Sequence, residues 1–165
     1  MRPAFIPLSL FVALVIIFCE RADATCTGIG CSCSISADDL SFGAYDPLSA
    51  SNHDATGEVR VTCGALVASI TVSYTISLSS GSSGTSLART MANGGTTLAY
   101  NLYTTPARTS IWGNGAGGTV TLSNGYSLSL LVPRTDAFPV YGRIPPAQPV
   151  GAGSYSDSLV ATVTF

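Results

Sequence analysis

The sequence predicts an all-β sandwich, on three observations. Apolar residues, many of them β-branched or aromatic, alternate with Ser and Thr in runs of strand length. No stretch keeps a helical period, and the runs are separated by glycine-rich turns.

The first apolar stretch stands outside this fold. Arg2 precedes an apolar run from Leu8 to Phe18, and Ala22-Asp23-Ala24 is a small-x-small cleavage signature. Residues 1–24 are therefore expected to be a signal peptide and residues 25–165 the exported domain. The run is shorter than the ~20 residues that a membrane-spanning helix needs. Cys19 follows Phe18 rather than the small residue of a lipoprotein signal, so no stable membrane insertion is expected. About 140 residues suit one domain with a real core.

Strand segments are read near 33–44, 57–63, 69–78, 97–104, 118–132 and 154–165, with a short one at 138–143. The clearest is Ser69–Leu78, where Ile70, Val72, Tyr74, Ile76 and Leu78 take one side and Ser and Thr the other, the pattern of a sheet with one wet face. Val59, Val61 and Cys63 repeat it, as do Leu98, Tyr100 and Leu102, then Val120 and Leu122, then Tyr126, Leu128, Leu130 and Val132. Gly81-Ser-Ser-Gly84, Asn93-Gly-Gly95, Gly113-Asn-Gly115 and Asn124-Gly125 supply the turns. Pro133, Pro139, Pro145, Pro146 and Pro149 mark a region expected to hold no central strand. The last segment places Tyr155, Leu159, Ala161, Val163 and Phe165 on one face.

About six strands fall one short of the roughly seven of an immunoglobulin-like sandwich. Such a sandwich lacks its final strand, leaving a cleft with exposed core side chains and an unpaired edge that something must cover.

Without the leader four cysteines remain, at 26, 31, 33 and 63, and an even number in an exported chain reads as disulfides. Three pairings are open. Cys33 begins one apolar segment and Cys63 ends another, so a Cys33–Cys63 staple between neighbouring strands is favoured, leaving Cys26 with Cys31. A Cys-x-Cys zinc site is the alternative, but an oxidising compartment favours the bridge and the sole histidine, His53, is distant.

Little in the chain points to catalysis, a cofactor or a metal. The sole histidine is read as a solvated residue of the polar loop Ser51–Ala55, and no Gly-x-Ser-x-Gly elbow occurs. Asp38, Asp39, Asp46 and Asp54 lack calcium-loop spacing. No glycine pair opens a phosphate-binding helix. The exported part carries five arginines, no lysine and a net charge of −2, so no basic stripe for nucleic acid exists. Arg89, Arg108, Arg134 and Arg143 are spaced apart, as structural hydrogen-bond donors are. Trp112, with Tyr103 and the loop from Ala107 to Gly118, is the one candidate sugar- or surface-binding platform, a core tryptophan being the commoner role.

The chain resembles the spore coat protein U (SCPU) domain family, secreted pilin-like subunits that also serve archaic chaperone-usher pili. The resemblance rests on Cys33-Ser-Ile, Phe42-Gly-Ala-Tyr45-Asp, Gly57-Glu-Val-Arg-Val-Thr-Cys63, Arg89-Thr-Met91 and Leu98-Ala-Tyr-Asn-Leu-Tyr103. It continues through Ile111-Trp-Gly-Asn114, Tyr141-Gly-Arg-Ile-Pro145, Gln148 and the stretch Gly153–Phe165. It implies a sandwich completed by a donor strand, first from a periplasmic chaperone and then, through an outer-membrane usher, from other pilus or coat subunits. The cleft beside Tyr155, Leu159, Ala161, Val163 and Phe165 would accept that strand. It also implies export through the periplasm to the cell surface, a pilus or a spore coat, with a role in adhesion, biofilm or coat assembly. A donating subunit needs an alternating apolar extension before its first core cysteine. Thr25–Ser32 offers only Ile29 as a large hydrophobe, so a terminal, tip-proximal or coat role is expected.

Overall fold

The computed structural model describes residues 12–20, 30–66, 70–129 and 131–164. Among them run the strands β1 (Val12–Glu20), β2 (Cys31–Ala37), β3 (Leu40–Gly43), β4 (His53–Ala65), β5 (Ile70–Leu78), β6 (Arg89–Asn93), β7 (Thr96–Tyr103), β8 (Leu122–Leu128), β9 (Arg134–Ile144) and β10 (Ser154–Thr164). One layer has the order β2-β4-β9 and the other runs β3-β1-β10-β5-β8.

β7 joins the layers. Its first part pairs with β6 from Thr96 to Tyr100, and its last three residues, Asn101–Tyr103, pair with β9. Most of the buried apolar side chains lie between the layers as one core, including Val59, Val61, Tyr74, Ile76, Leu98, Leu102, Trp112 and Leu159.

The alternation read from the sequence sets this core directly. In β5, Val72, Tyr74, Ile76 and Leu78 are buried, while Thr71 and Ser73 are exposed. Cys33 and Cys63 stand opposite each other in the antiparallel β2–β4 pair and are bridged. Cys31 is also disulfide-bonded; Cys26, its expected partner, lies outside the described residues, as does Phe165.

Several expectations are corrected. The segment 33–44 is two strands, broken at Asp38-Asp39: β2 pairs with β4 in one layer and β3 with β1 in the other. Arg89–Asn93 lies outside the expected strand segments, yet it forms a hairpin with β7 across Gly94, whose φ is +58°. The segment 118–132 contracts to Leu122–Leu128, and the short 138–143 segment lengthens to the whole of β9.

β9 is also central, with β4 on one side and β7 on the other. Pro139 is tolerated there because β7 pairs only with Tyr141–Arg143, so a missing N–H at 139 removes no bond on that side. His53 begins β4 instead of lying in a solvated loop, and its Nε2 is 2.6 Å from the Phe42 carbonyl oxygen.

The largest departure is at the N-terminus. Val12–Glu20, assigned to the leader, forms β1 and lies between β10 and β3. It runs parallel to β10 over nine register pairs, from Val12–Ser154 to Glu20–Thr162, and antiparallel to β3. Every second side chain of an apolar run can meet a core, and Ala13, Val15 and Ile17 are buried at 2, 0 and 6% exposure.

Candidate functional site

The slot between β3 and β10 is the candidate site. Its floor is the inward face of β10, where Tyr155, Asp157, Leu159, Ala161 and Val163 are all buried. β1 sets Ala13 beside Tyr155, Val15 beside Asp157, Ile17 beside Leu159 and Cys19 beside Ala161. Val163 lies past the end of that pairing, opposite Ile76 of β5.

Both edges of the slot are held from behind. On its far edge β10 pairs with β6 at Ser156–Ala92 and with β5 from Ala161 to Thr164. Between these, Ser79 bridges the gap: its N–H donates to the Val160 carbonyl at 2.9 Å, and its Oγ accepts from the Val160 N–H at 2.9 Å. β3 is seated over the opposite layer because β9 has Gly142 where a Cβ would come within 2.7 Å of the Phe42 ring. Gly57 in β4 makes a smaller allowance for Leu40, whose side chain a Cβ there would meet at 3.3 Å.

Alternation from Tyr155 to Leu159 points Asp157 inward, where a carboxylate breaks an apolar face. Its partners explain it: Oδ1 accepts from the Ser82 N–H at 2.9 Å, the Ser82 hydroxyl at 2.8 Å and the Ser158 N–H at 2.9 Å. Oδ2 accepts from the Tyr100 hydroxyl at 2.7 Å. Both of its oxygens are thus hydrogen-bonded, as a buried carboxyl group requires. Tyr155 is likewise satisfied, its hydroxyl donating to the Gly151 carbonyl at 3.0 Å.

Arg89 sits fully buried in the same interior. Nη2 donates to the Ser79 and Trp112 carbonyls at 2.7 and 2.8 Å, and Nη1 to Asn101 Oδ1 at 2.8 Å. Desolvation lowers its pKa from the ordinary arginine value, partly offset by the fields of Tyr100 and Asp157. The guanidinium thus ties the end of β5 to β7 and to the Trp112 loop. It is a structural donor, the role its isolation along the sequence suggested.

Trp112 is not a surface platform. It is 0% exposed, its indole N–H donates to the Ile76 carbonyl at 3.1 Å, and its backbone N–H donates to the Leu102 carbonyl. Tyr103 is half-buried and paired with Tyr141 of β9 and with Ile111. The two aromatics therefore do not present a joint exposed face. The reason is volume: the space where β7 crosses between the layers takes the largest side chain available, and no local alternation at 111–113 could have revealed it.

Other residues of the recognised pattern also do architectural work. Gln148 satisfies the free edge of β7, accepting from the Ala99 N–H at 2.8 Å and donating to the Ala99 carbonyl at 2.9 Å. The Tyr45 hydroxyl donates to the Pro145 carbonyl and accepts from the Gln148 N–H. Asp54 faces Arg143 at 2.7 Å and Arg108 at 3.2 Å, which lowers its carboxyl pKa below 3.8, the Arg143 hydrogen bond being the largest cause.

The chain is similar to Protein U of Myxococcus xanthus, at 36% identity over 163 residues, covering 88% of this chain and 87% of that protein. Among solved structures it is similar to a chain of the CsuC-CsuE chaperone-tip adhesion subunit pre-assembly complex from the archaic chaperone-usher Csu pili of Acinetobacter baumannii. The TM-score is 0.48 at 20% identity, over 82% of this chain; this chain spans only 40% of the length of that one. The Spore Coat Protein U domain matches residues 23–162, a span that takes in β2 to β9 and most of β10 and leaves out β1. By that match and by its likeness to Protein U, the chain belongs to the Spore Coat Protein U domain family.

Proposed function

We propose that this chain is a secreted structural subunit of a cell-surface coat or chaperone-usher pilus, built to accept a strand from another chain. One observation carries the reading: the strand that completes the sheet beside β10 comes from residues 12–20, which lie outside the family domain and inside a run with the features of a leader. Removal of residues 1–24 would leave the edge of β10 from Ser154 to Thr162 and that of β3 unpaired, with an open groove between them.

An incoming strand would find backbone hydrogen-bonding groups on both sides and pockets for alternate apolar side chains, the physics of β-strand addition. Burial of each Val- or Ile-sized side chain is worth about 1.5–3 kcal/mol, so such contacts would be durable without catalysis. The donors we propose are a periplasmic chaperone, then other subunits delivered through an outer-membrane usher. Thr25–Ser32 is a poor donor: it is short, and Cys31 within it is held by a disulfide. An acceptor at the end of an assembly, or within a coat, is the position that fits.

Production of residues 25–165 alone and with a cognate chaperone tests this. The expected result is aggregation alone and a soluble one-to-one complex with the chaperone. A stable monomer made alone overturns the reading.

A further inference from the structure

We infer that the free edge of β8 is a docking surface for a second copy of this chain, the two β8 strands pairing antiparallel about a two-fold axis at Gly125. This edge lies across the layer from the slot, with β10 and β5 between them, so the pairing neither uses nor requires a donor strand.

The edge is open. β8 keeps register with β5 from Leu122–Ile76 to Leu128–Ile70 without a bulge, and among the described residues no strand pairs with its other side. Sheet edges are usually kept from pairing by a charge, a proline, a bulge or shortness. β8 has none of these: no charged residue occurs between Arg108 and Arg134, and no proline between Pro106 and Pro133. The other edges are guarded. β3 has only four residues, and β2 runs into Asp38 and Asp39, with Asp38 held by Arg60 at 2.8 Å. Within β8, Asn124 Oδ1 accepts from the Gly125 N–H at 2.9 Å, a local bond that a partner carbonyl can replace.

The occupant follows from the order of residues in the strand. Leu122-Ser-Asn-Gly-Tyr-Ser-Leu128 reads nearly the same in both directions. Antiparallel pairing about Gly125 therefore sets Ser123 opposite Ser127 of the second copy, Leu122 opposite Leu128, Asn124 opposite Tyr126, and glycine opposite glycine. The faces match as well: Asn124, Tyr126 and the two leucines lie inward in both copies, while Ser123, Gly125 and Ser127 are exposed. Exposed apolar side chains stand at both ends of the strand, Val120 before it at 37% and Leu131 and Val132 after it at 67 and 61%. The two-fold axis carries the Val120 end of one copy to the Leu131 and Val132 end of the other, so each patch gains a cover. Where the slot would join subunits in series, this edge would join them side by side.

Cysteine cross-linking tests the pairing on cell-surface material, so it needs no soluble monomer. The full-length gene carrying Ser123→Cys and Ser127→Cys is expressed in its own host; the surface fraction is alkylated with iodoacetamide, denatured and mapped without reduction. Four residues along a strand span about 13 Å, whereas bridged Cα atoms lie within about 6.8 Å. Any 123–127 bond therefore joins two chains. The expected yield of that bond is at least ten times that of a 123–123 or 127–127 bond in the two single variants, with the Cys33–Cys63 bridge intact. Thr121→Cys with Ser129→Cys, equally matched about Gly125, repeats the reading if the first variant is not exported.

Equal yields in the single variants would mean random collision and overturn the pairing. So would thiols at 123 and 127 that are alkylated throughout, or bonded only to a different protein, in chains whose Cys33–Cys63 bridge is intact.

Discussion

The Tyr100 hydroxyl donates a 2.7 Å hydrogen bond to Asp157 Oδ2 inside the sandwich, linking β7 to the strand that borders the slot. Both groups are buried, at 2 and 4% exposure. The pair fixes how deeply β10 sits, and hence where the floor of the slot lies.

Tyr100→Phe removes the donor to Asp157 Oδ2 while leaving Ser82 and Ser158 on Oδ1. The expected loss is about 1.5–3 kcal/mol, read from the urea midpoint at neutral pH. Burial, followed by the bond to Asp157, raises the Tyr100 pKa well above 10.0. The stabilisation is therefore complete below about pH 10, the unfolded value, and is lost as pH rises toward the folded one. The difference between wild type and Tyr100→Phe should be widest below pH 10 and close above it; a gap that stays constant into alkali contradicts the assignment.

Gly81 and Gly84 make a matched comparison. Both have left-handed φ, +65° and +74°. A Cβ at Gly84 meets open space, while one at Gly81 would strike the Asp157 carboxylate. Gly84→Ala should lower stability by about 1 kcal/mol from backbone strain alone. Gly81→Ala should cost at least about 1–3 kcal/mol more, because it displaces a buried hydrogen-bonded carboxylate. Equal thermal midpoints for the two variants would show that the carboxylate is free to move.

Replacing both Cys33 and Cys63 with Ala removes a bridge with a sequence separation of 30. Chain entropy puts the loss at roughly 3–4 kcal/mol. Denaturation of the double variant without reductant, beside the wild type with and without reductant, measures it.

Asp54→Asn tests the ion pairs with Arg143 and Arg108. All three side chains are partly exposed, so the expected effect is under about 1 kcal/mol at neutral pH and weaker still in high salt. Because the folded pKa is depressed, the contribution is present above 3.8 and disappears as pH falls through the folded value. Wild type and variant should therefore converge in acid; a difference that persists below pH 2 would point to packing instead.

Much of the sandwich was legible in the sequence because its cause is local. Alternation in Ile70–Leu78 and in Ser154–Thr164 assigns each side chain to a face, and the positions of Cys33 at the start of one apolar segment and Cys63 at the end of another favour a staple between neighbouring strands. Turn glycines marked several of the hairpins and loops. Arg89 read as a structural donor because nothing basic accompanies it.

Alternation says which way a side chain points, but not which strand lies alongside, because pairing joins residues far apart in sequence. Hence only the tertiary structure showed that β9 is central despite Pro139, that Trp112 fills the core and offers no outer platform, and that four donors meet the Asp157 carboxylate. It also decided where Val12–Glu20 lies. An apolar run presents the same face to a translocating membrane or to a slot, and the sequence alone pointed to a leader; the unpaired edges of β3 and β10, brought together by the rest of the fold, are what gave that run a place in the sheet.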